Sequence, residues 1–132
     1  MPRNRQHYRL TLGDALSAHE EALKYGGRTG IHDYGLIESA LARPYSGYYR
    51  TISRKAAALV ESFASNHGFL DGNKRTTLIL LNLLLAKSGY KVALDSASKN
   101  AEVEDIIMMV VKHQIRFDDL VTWIERRLTK NP

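Results

Sequence analysis

Cysteine is absent from the 132 residues, and proline stands only at positions 2, 44 and 132. Without a thiol the chain has no disulfide scaffold, thiolate metal site or cysteine nucleophile, and a cytoplasmic setting is the expectation. Long apolar runs are missing too. The longest, Leu78 to Ala86, is broken by Asn82, whereas a bilayer-spanning helix needs about 20 apolar residues; no membrane partner is expected. The N-terminal MPRNRQHYRL is basic but has no apolar core or small-residue cleavage site behind it, so it does not read as a secretion signal. Residues 1–9 read instead as a basic, flexible arm, with Arg3, Arg5 and Arg9 solvated. No repeat, linker or low-complexity tract divides the chain, which gives a single domain over 1–132.

What is present is ordinary globular material, 44% hydrophobic and 25% charged, with a net charge of +5. That charge permits a polyanionic partner but is also normal for solubility. From Tyr45 to Asn131 no proline interrupts, and the apolar spacing is helical. Thr11 with Asp14 caps a first helix over 12–24, whose apolar stripe is Leu12, Leu16, His19 and Leu23 and which Gly26-Gly27 stop. Asp33 caps a short second helix ending before Pro44. PYSGYYRT, residues 44–51, fits an exposed loop or a small β-hairpin. Ser53 is the expected cap of a third helix carrying Ala56, Val60 and Phe63.

A fourth helix runs from Asn73 to Gly89 and is apolar nearly all round, so it is expected to be the central rod. Tyr90 to Leu94 reads as an extended link. A fifth helix carries Val103, Ile106, Ile107, Val110 and Val111. Asp118 caps a sixth, with Leu120, Val121, Ile124 and Leu128 inward and Arg126, Arg127 and Lys130 at its C-terminal dipole. The fold class is therefore all-α: about six helices around a central apolar one.

One stretch departs from core and cap: His67-Gly68-Phe69-Leu70-Asp71-Gly72-Asn73-Lys74-Arg75-Thr76. It sits at the start of the fourth helix, where about four backbone N–H groups lack partners and the macrodipole is positive. Gly72 leaves those donors unshielded, Asn73 adds an amide, and Lys74 and Arg75 add two cations, a nest suited to phosphate oxygens. Asp71 is a hard oxygen ligand of the kind that holds Mg²⁺ beside a nucleotide. His67, with an ordinary pKa of about 6.5, is largely neutral at pH 7 and can take a proton from a hydroxyl. A base, a metal carboxylate and a phosphate cradle together describe phosphoryl or nucleotidyl transfer. On spacing alone the same residues also fit an ordinary turn with a capped helix start, solvated Lys74 and Arg75, and an interhelical His67. A Walker P-loop is excluded, since Asn73 stands where its second glycine should be.

HGFLDGNKRT resembles the signature of the Fic/Doc superfamily, HxFxxGNxRxxR in its Fic form and HxFxDxNKR in its Doc form. GGRTGIHDYGLIESALARP, ending at Pro44, resembles the upstream region of Doc-like, death-on-curing toxins, and the likeness extends over roughly residues 10–128. The resemblance implies a Fido-type bundle, ATP and Mg²⁺ as cofactors, and a cognate antitoxin that contributes an amphipathic helix. By the motif, His67 accepts the proton of a target hydroxyl, Asp71 holds the metal, Gly72, Asn73 and Arg75 bind anions, and Phe69 anchors the loop.

Adenylylating Fic enzymes have a second glycine where this chain has Lys74, and a second arginine where it has Leu78. Doc-like proteins share that departure, present the γ-phosphate of ATP, and phosphorylate a threonine of elongation factor Tu. The resemblance thus implies a Ser/Thr kinase-type toxin that inhibits translation. The alternatives are a Fic-type adenylyltransferase, a non-catalytic homologue, or a helical nucleic-acid-binding module using the basic arm and Lys74-Arg75. Asp71 weighs against the last, because a carboxylate beside the cationic turn repels phosphate unless a metal intervenes.

The inhibitory pattern (S/T)xxxE(G/N) of Fic proteins is incomplete at Ser17 to Ala22 and at Ser98 to Val103, which fits restraint by a separate antitoxin. His19 reads as a core histidine with one hydrogen bond. His7 and His113 have no supporting neighbours, and His32 is given no role. Met108, Met109 and Trp123 read as packing. The Tyr45, Tyr48, Tyr49 loop is a candidate for the flap that pairs with a target segment in the family, or an ordinary lid over the core.

Overall fold

The computed structural model describes residues 7–31, 33–66, 68–69, 71–92 and 99–130. Thr11 opens the first helix, α1 (Leu12–Leu23): its hydroxyl accepts from Asp14 N at 3.0 Å while the Asp14 carboxylate accepts from Thr11 N at 2.9 Å. This reciprocal cap is the one expected, and such caps contribute about 1 kcal/mol. The buried face of α1 is Ala15, Ala18, His19 and Ala22, with Leu12 and Leu16 only half-buried at its flanks. The alanines let α1 approach the fourth helix closely, a use of small residues that a search for large apolar side chains passes over.

Asp33 accepts from Leu36 N at 3.2 Å and caps α2 (Tyr34–Ala42) as expected. A 3-10 turn, Arg43–Tyr45, follows, with bends to residue 51, so the 44–51 segment takes the loop form rather than the hairpin. The helix α3 (Ile52–Asn66) starts two residues earlier than a Ser53 cap would allow. Thr51 Oγ1 accepts from Arg54 N at 3.2 Å, and Ser53, buried, donates instead to Glu125 Oε2 at 3.2 Å on the last helix.

After α4 (Asn73–Lys87) come β1 (Tyr90–Val92), α5 (Lys99–Val111), α6 (Phe117–Arg127) and β2 (Leu128–Lys130). Arg116, not Asp118, is the N-cap of α6; Asp118 and Asp119 fall in its first turn, where their charge still meets the dipole. Leu128 and Lys130 also leave the helix: β2 pairs antiparallel with β1, matching Tyr90 to Lys130 and Val92 to Leu128. A lone extended segment needs a partner for its backbone groups, and here the partner lies far along the chain.

The helix expected at the centre is buried through Thr76, Thr77, Leu80, Leu81, Leu84 and Leu85, but Leu78, Ile79 and Leu83 are only half-covered. The more fully enclosed helix is α3, whose consecutive Ala56 to Val60 are at most 1% exposed. It packs against α2, α4, α5, α6 and the 3-10 turn, whereas α4 lies against α1, α3, α5 and β1. Alanines in an unbroken run let neighbours close on α3 from every side, while the bulk of a leucine run keeps them at greater distance. The class is all-α, as expected, with six helices and a two-stranded sheet among the described residues.

From Tyr8 onward the N-terminal arm is hydrogen-bonded to the bundle. Tyr8 N donates to Ser88 Oγ at 2.9 Å, Tyr45 Oη donates to Tyr8 O at 2.6 Å and accepts from Leu10 N at 2.9 Å. Residues 1–6 of the arm expected to be flexible lie outside the described ones. No helix among the described residues is long and apolar enough to cross a membrane.

Candidate active site

The loop that enters α4 is held by four elements at once. Its Phe69 is buried, stacks on His19 of α1 with ring centroids 3.8 Å apart and planes at 9°, and lies near Phe63 of α3. His19 Nε2 donates to the Asp71 carbonyl at 2.8 Å, the only role open to it against an acceptor. His19 is thus the core histidine with one hydrogen bond that its place on α1 implied, and that bond falls on the motif. Phe69 also bridges Ile31 in an antiparallel pair, and Asp33 N donates to Gly68 O at 3.0 Å.

Asn73, the first residue of α4, closes the loop on itself. Its Oδ1 accepts from Phe69 N at 3.1 Å and its Nδ2 donates to Phe69 O at 2.9 Å, all of it buried. The side chain expected to hold phosphate is therefore engaged in bracing the loop, and the share of an anion site left to Asn73 is its backbone N–H. Gly72 caps α4 in the left-handed region, φ +80°, and supplies no side chain to the first-turn N–H groups. Lys74 and Arg75 are exposed beside them, and one nitrogen of Arg75 donates to Gly26 O at 3.4 Å.

Asp71 is exposed at the same tip. Its two oxygens accept from Arg28 N at 3.2 Å and Gly72 N at 2.9 Å. These backbone donors, Arg28 first and Gly72 next, hold its carboxyl below the ordinary aspartate value, with Arg28 and Arg75 adding charge attraction. A folded-state pKa below the unfolded one contributes stability above the unfolded value and loses it as pH falls through the folded one. Following the Asp71 carboxylate by NMR should therefore give a lower midpoint in the folded protein than in urea, and Asp71→Asn should flatten the acid limb of stability against pH. Coincident midpoints would contradict this geometry.

Around the tip lies a cleft of about 520 Å³, within the size range of small-molecule sites. Ala64 of α3 and Asp71 to Arg75 form one side. The other is α5, through Glu104, Ile107, Met108 and Val111. This wall went unrecognised in the sequence, where Met108 read as packing; nothing local marks a helix that will face a motif some 35 residues before it. Among the described residues no three His, Cys, Asp or Glu side chains gather to hold a metal. What the chain offers a cation is one ionised carboxylate next to a phosphate-sized cradle, a donor set that fits Mg²⁺, which takes most of its ligands from phosphate and water.

His67, assigned as the base, lies outside the described residues, as does His32. The segment alongside the motif is 26–31, through Gly26, Arg28 and Ile31. The loop of Tyr45, Tyr48 and Tyr49 sits instead at the opposite, N-terminal end of α3.

A family model described as Fic/DOC family matches residues 9–85. The chain belongs to the Fic/DOC family. It is also 37% identical over 98 residues to Toxin Doc of Mycolicibacterium smegmatis, an alignment that covers 70% of this chain and 74% of that protein. The Fic/DOC match runs from the capping box of α1 to the end of the leucine run in α4, so it contains every brace of the motif loop described above. The α5 wall lies beyond it.

Proposed function

We propose that this Fic/DOC protein is a Doc-like toxin that transfers the γ-phosphoryl group of ATP to a Ser or Thr hydroxyl of a target protein. By resemblance the target is a threonine of elongation factor Tu, the effect is arrest of translation, and a cognate antitoxin neutralises it. The observation that carries this reading is the α4 tip: uncapped N–H groups, Lys74 and Arg75, opening on a cleft large enough for a nucleotide. These groups suit phosphate oxygens by position and charge, which is most of what phosphoryl transfer asks of a protein.

In this scheme the hydroxyl oxygen forms a bond to the γ-phosphorus while the bond to the β-bridging oxygen breaks and ADP leaves. The hydroxyl proton passes to the His67 imidazole. Asp71 is the residue that would hold Mg²⁺, which supplies charge neutralisation across the phosphate oxygens. Lys74 and Arg75 orient the phosphates, and Ile107, Met108 and Val111 give the rest of the nucleotide an apolar wall.

The rival reaction, AMP transfer, would need the α-phosphate presented from the same cradle. Lys74 in place of the second glycine and Leu78 in place of the second arginine weigh against it. ATP labelled separately at the α- and γ-phosphates, incubated with the protein and a bacterial lysate, decides the matter. Label is expected on a protein only from the γ position; transfer from the α position would replace the kinase reading with adenylylation.

A further inference from the structure

The opposite end of α3 carries a second concavity, of about 1060 Å³, for which phosphoryl transfer has no use. It is bounded by the first turn of α3, residues 47–51, the hydrogen-bonded part of the N-terminal arm and Tyr90 of β1. Ile52 lines this groove and Ala64 lines the cleft at the α4 tip. Along a helix those two residues are about 18 Å apart, so the two sites are separate.

Its charge is of one sign. Arg9, Arg50 and Lys55 line it together with His7, and among the described residues no Asp or Glu does. Arginines nearby are neutralised: Arg43 by Glu61 at 2.7 Å and Arg54 by Asp118 at 3.9 Å. Lys55 is half-buried, donates to His7 Nδ1 at 2.8 Å and Arg50 O at 3.4 Å, and has no carboxylate partner among the described residues. Burial pushes its ammonium below the ordinary lysine value, as expected of a cation whose lost hydration no anion replaces.

The rings of the groove decide which anion fits. A single-stranded nucleic acid gains much of its affinity from bases stacking on open aromatic faces. Tyr45 has its hydroxyl tied in two hydrogen bonds and Arg9 over its face at 4.8 Å. Tyr49 is taken up by Phe117 at 5.6 Å and Arg43 at 5.5 Å. An extended acidic peptide needs no stacking platform. It needs only cations spaced along a groove; Tyr48, 84% exposed between the lining residues Gly47 and Tyr49, is a single open ring and not the series of faces that successive bases stack on.

We propose that this groove docks an acidic segment of a protein partner through Arg9, Arg50 and Lys55. The site stands apart from the transfer cleft, so it does not depend on which group the protein transfers.

Fluorescence anisotropy of labelled octaglutamate against the full-length protein, in about 50 mM salt where surface charges are weakly screened, tests it. Octaglutamine and an eight-base thymidine oligonucleotide serve as comparators. Octaglutamate should bind and octaglutamine should not. Arg50→Gln with Lys55→Gln should weaken binding by about tenfold or more, while Arg50→Lys with Lys55→Arg should hold it near the parent value, since the charges are what act. Lys74→Gln, at the other end of α3, should change it less than about twofold. Because Arg50 is exposed, Arg50→Glu alone gives a variant that spares the fold and should weaken binding in the same direction. No octaglutamate binding, binding that survives loss of both cations or follows Lys74 instead, or tighter binding of the oligonucleotide at the same residues would each overturn the proposal.

Discussion

Asn73→Ala should lower the unfolding free energy by about 2–5 kcal/mol, because it orphans two buried backbone groups at once. The Asn73 amide satisfies both Phe69 N–H and Phe69 C=O, and Phe69 is 1% exposed, so water cannot replace it. A buried polar group left without a partner costs about 1–3 kcal/mol. Urea unfolding should show the loss as a lower midpoint at unchanged slope. Asn73→Asp separates the two bonds: it keeps an acceptor for Phe69 N–H but sets a carboxylate oxygen against Phe69 C=O. It should therefore remain well below the parent in stability. A side chain that served only a bound phosphate would behave differently, with nucleotide affinity falling and the midpoint unmoved. An Asn73→Ala protein within about 0.5 kcal/mol of the parent would sink the bracing role, since that is the scale of an ordinary surface substitution.

The distinction bears on how the site is built. Facing the cleft and bracing the loop are different jobs, and in the segment from Phe69 to Arg75 they alternate. Phe69 and Asn73 turn inward, against His19 and the loop backbone, while Asp71, Lys74 and Arg75 remain at the surface of the cleft. The inward set fixes where the outward set stands. A charge at a helix tip orders a phosphate only if the tip itself does not move, and here α1, α2, α3 and the strand-like contact at Ile31 all grip the same few residues.

Much of this frame was legible because its signals are local. Thr11 and Asp33 cap the helices they were expected to cap, since a hydroxyl or carboxylate at an N-cap acts on donors three residues away. His19 was legible as a core residue from the spacing of α1. Non-local choices were hidden. Ser53 is the better cap in sequence, but its hydroxyl goes to Glu125 of α6, and Thr51 accepts from the first turn instead. The end of α6 at Arg127 is decided by β1, not by any breaker in the chain. The α5 wall depends on how the bundle closes. Asn73 illustrates a further limit: an amide at the first position of a helix suits an anion or a backbone pair equally, and only the position of Phe69 tells which.

Gly68→Ala should also destabilise the motif loop, though the substitution adds a methyl group rather than removing a bond. Gly68 is not among the positive-φ glycines, so its backbone would accept alanine. Space is what it lacks: a Cβ there would stand 2.5 Å from Ile37 Cγ1 and 3.2 Å from Ile37 N. Ile37 is 1% exposed, and the atom met is close to its own backbone, so no rotation of a side-chain end relieves the clash. Either α2 shifts or the motif loop does, and overpacking of this kind costs about 1–3 kcal/mol, occasionally more. Asp33 N to Gly68 O, the backbone bond joining the loop to α2, would be strained with it. Ile37→Ala removes the obstructing Cγ1 at its own cavity cost of about 2–5 kcal/mol. If the clash is the cause, the double variant should be more stable than the sum of the two single losses by about 1 kcal/mol or more, since residues in direct contact couple on that scale. Additive losses would mean that the space behind Gly68 is not what sets the loop. Any transferase activity should follow the same cycle, falling in Gly68→Ala and recovering in part when Ile37 is cut back, because the displaced loop carries Asp71 and the start of α4 with it.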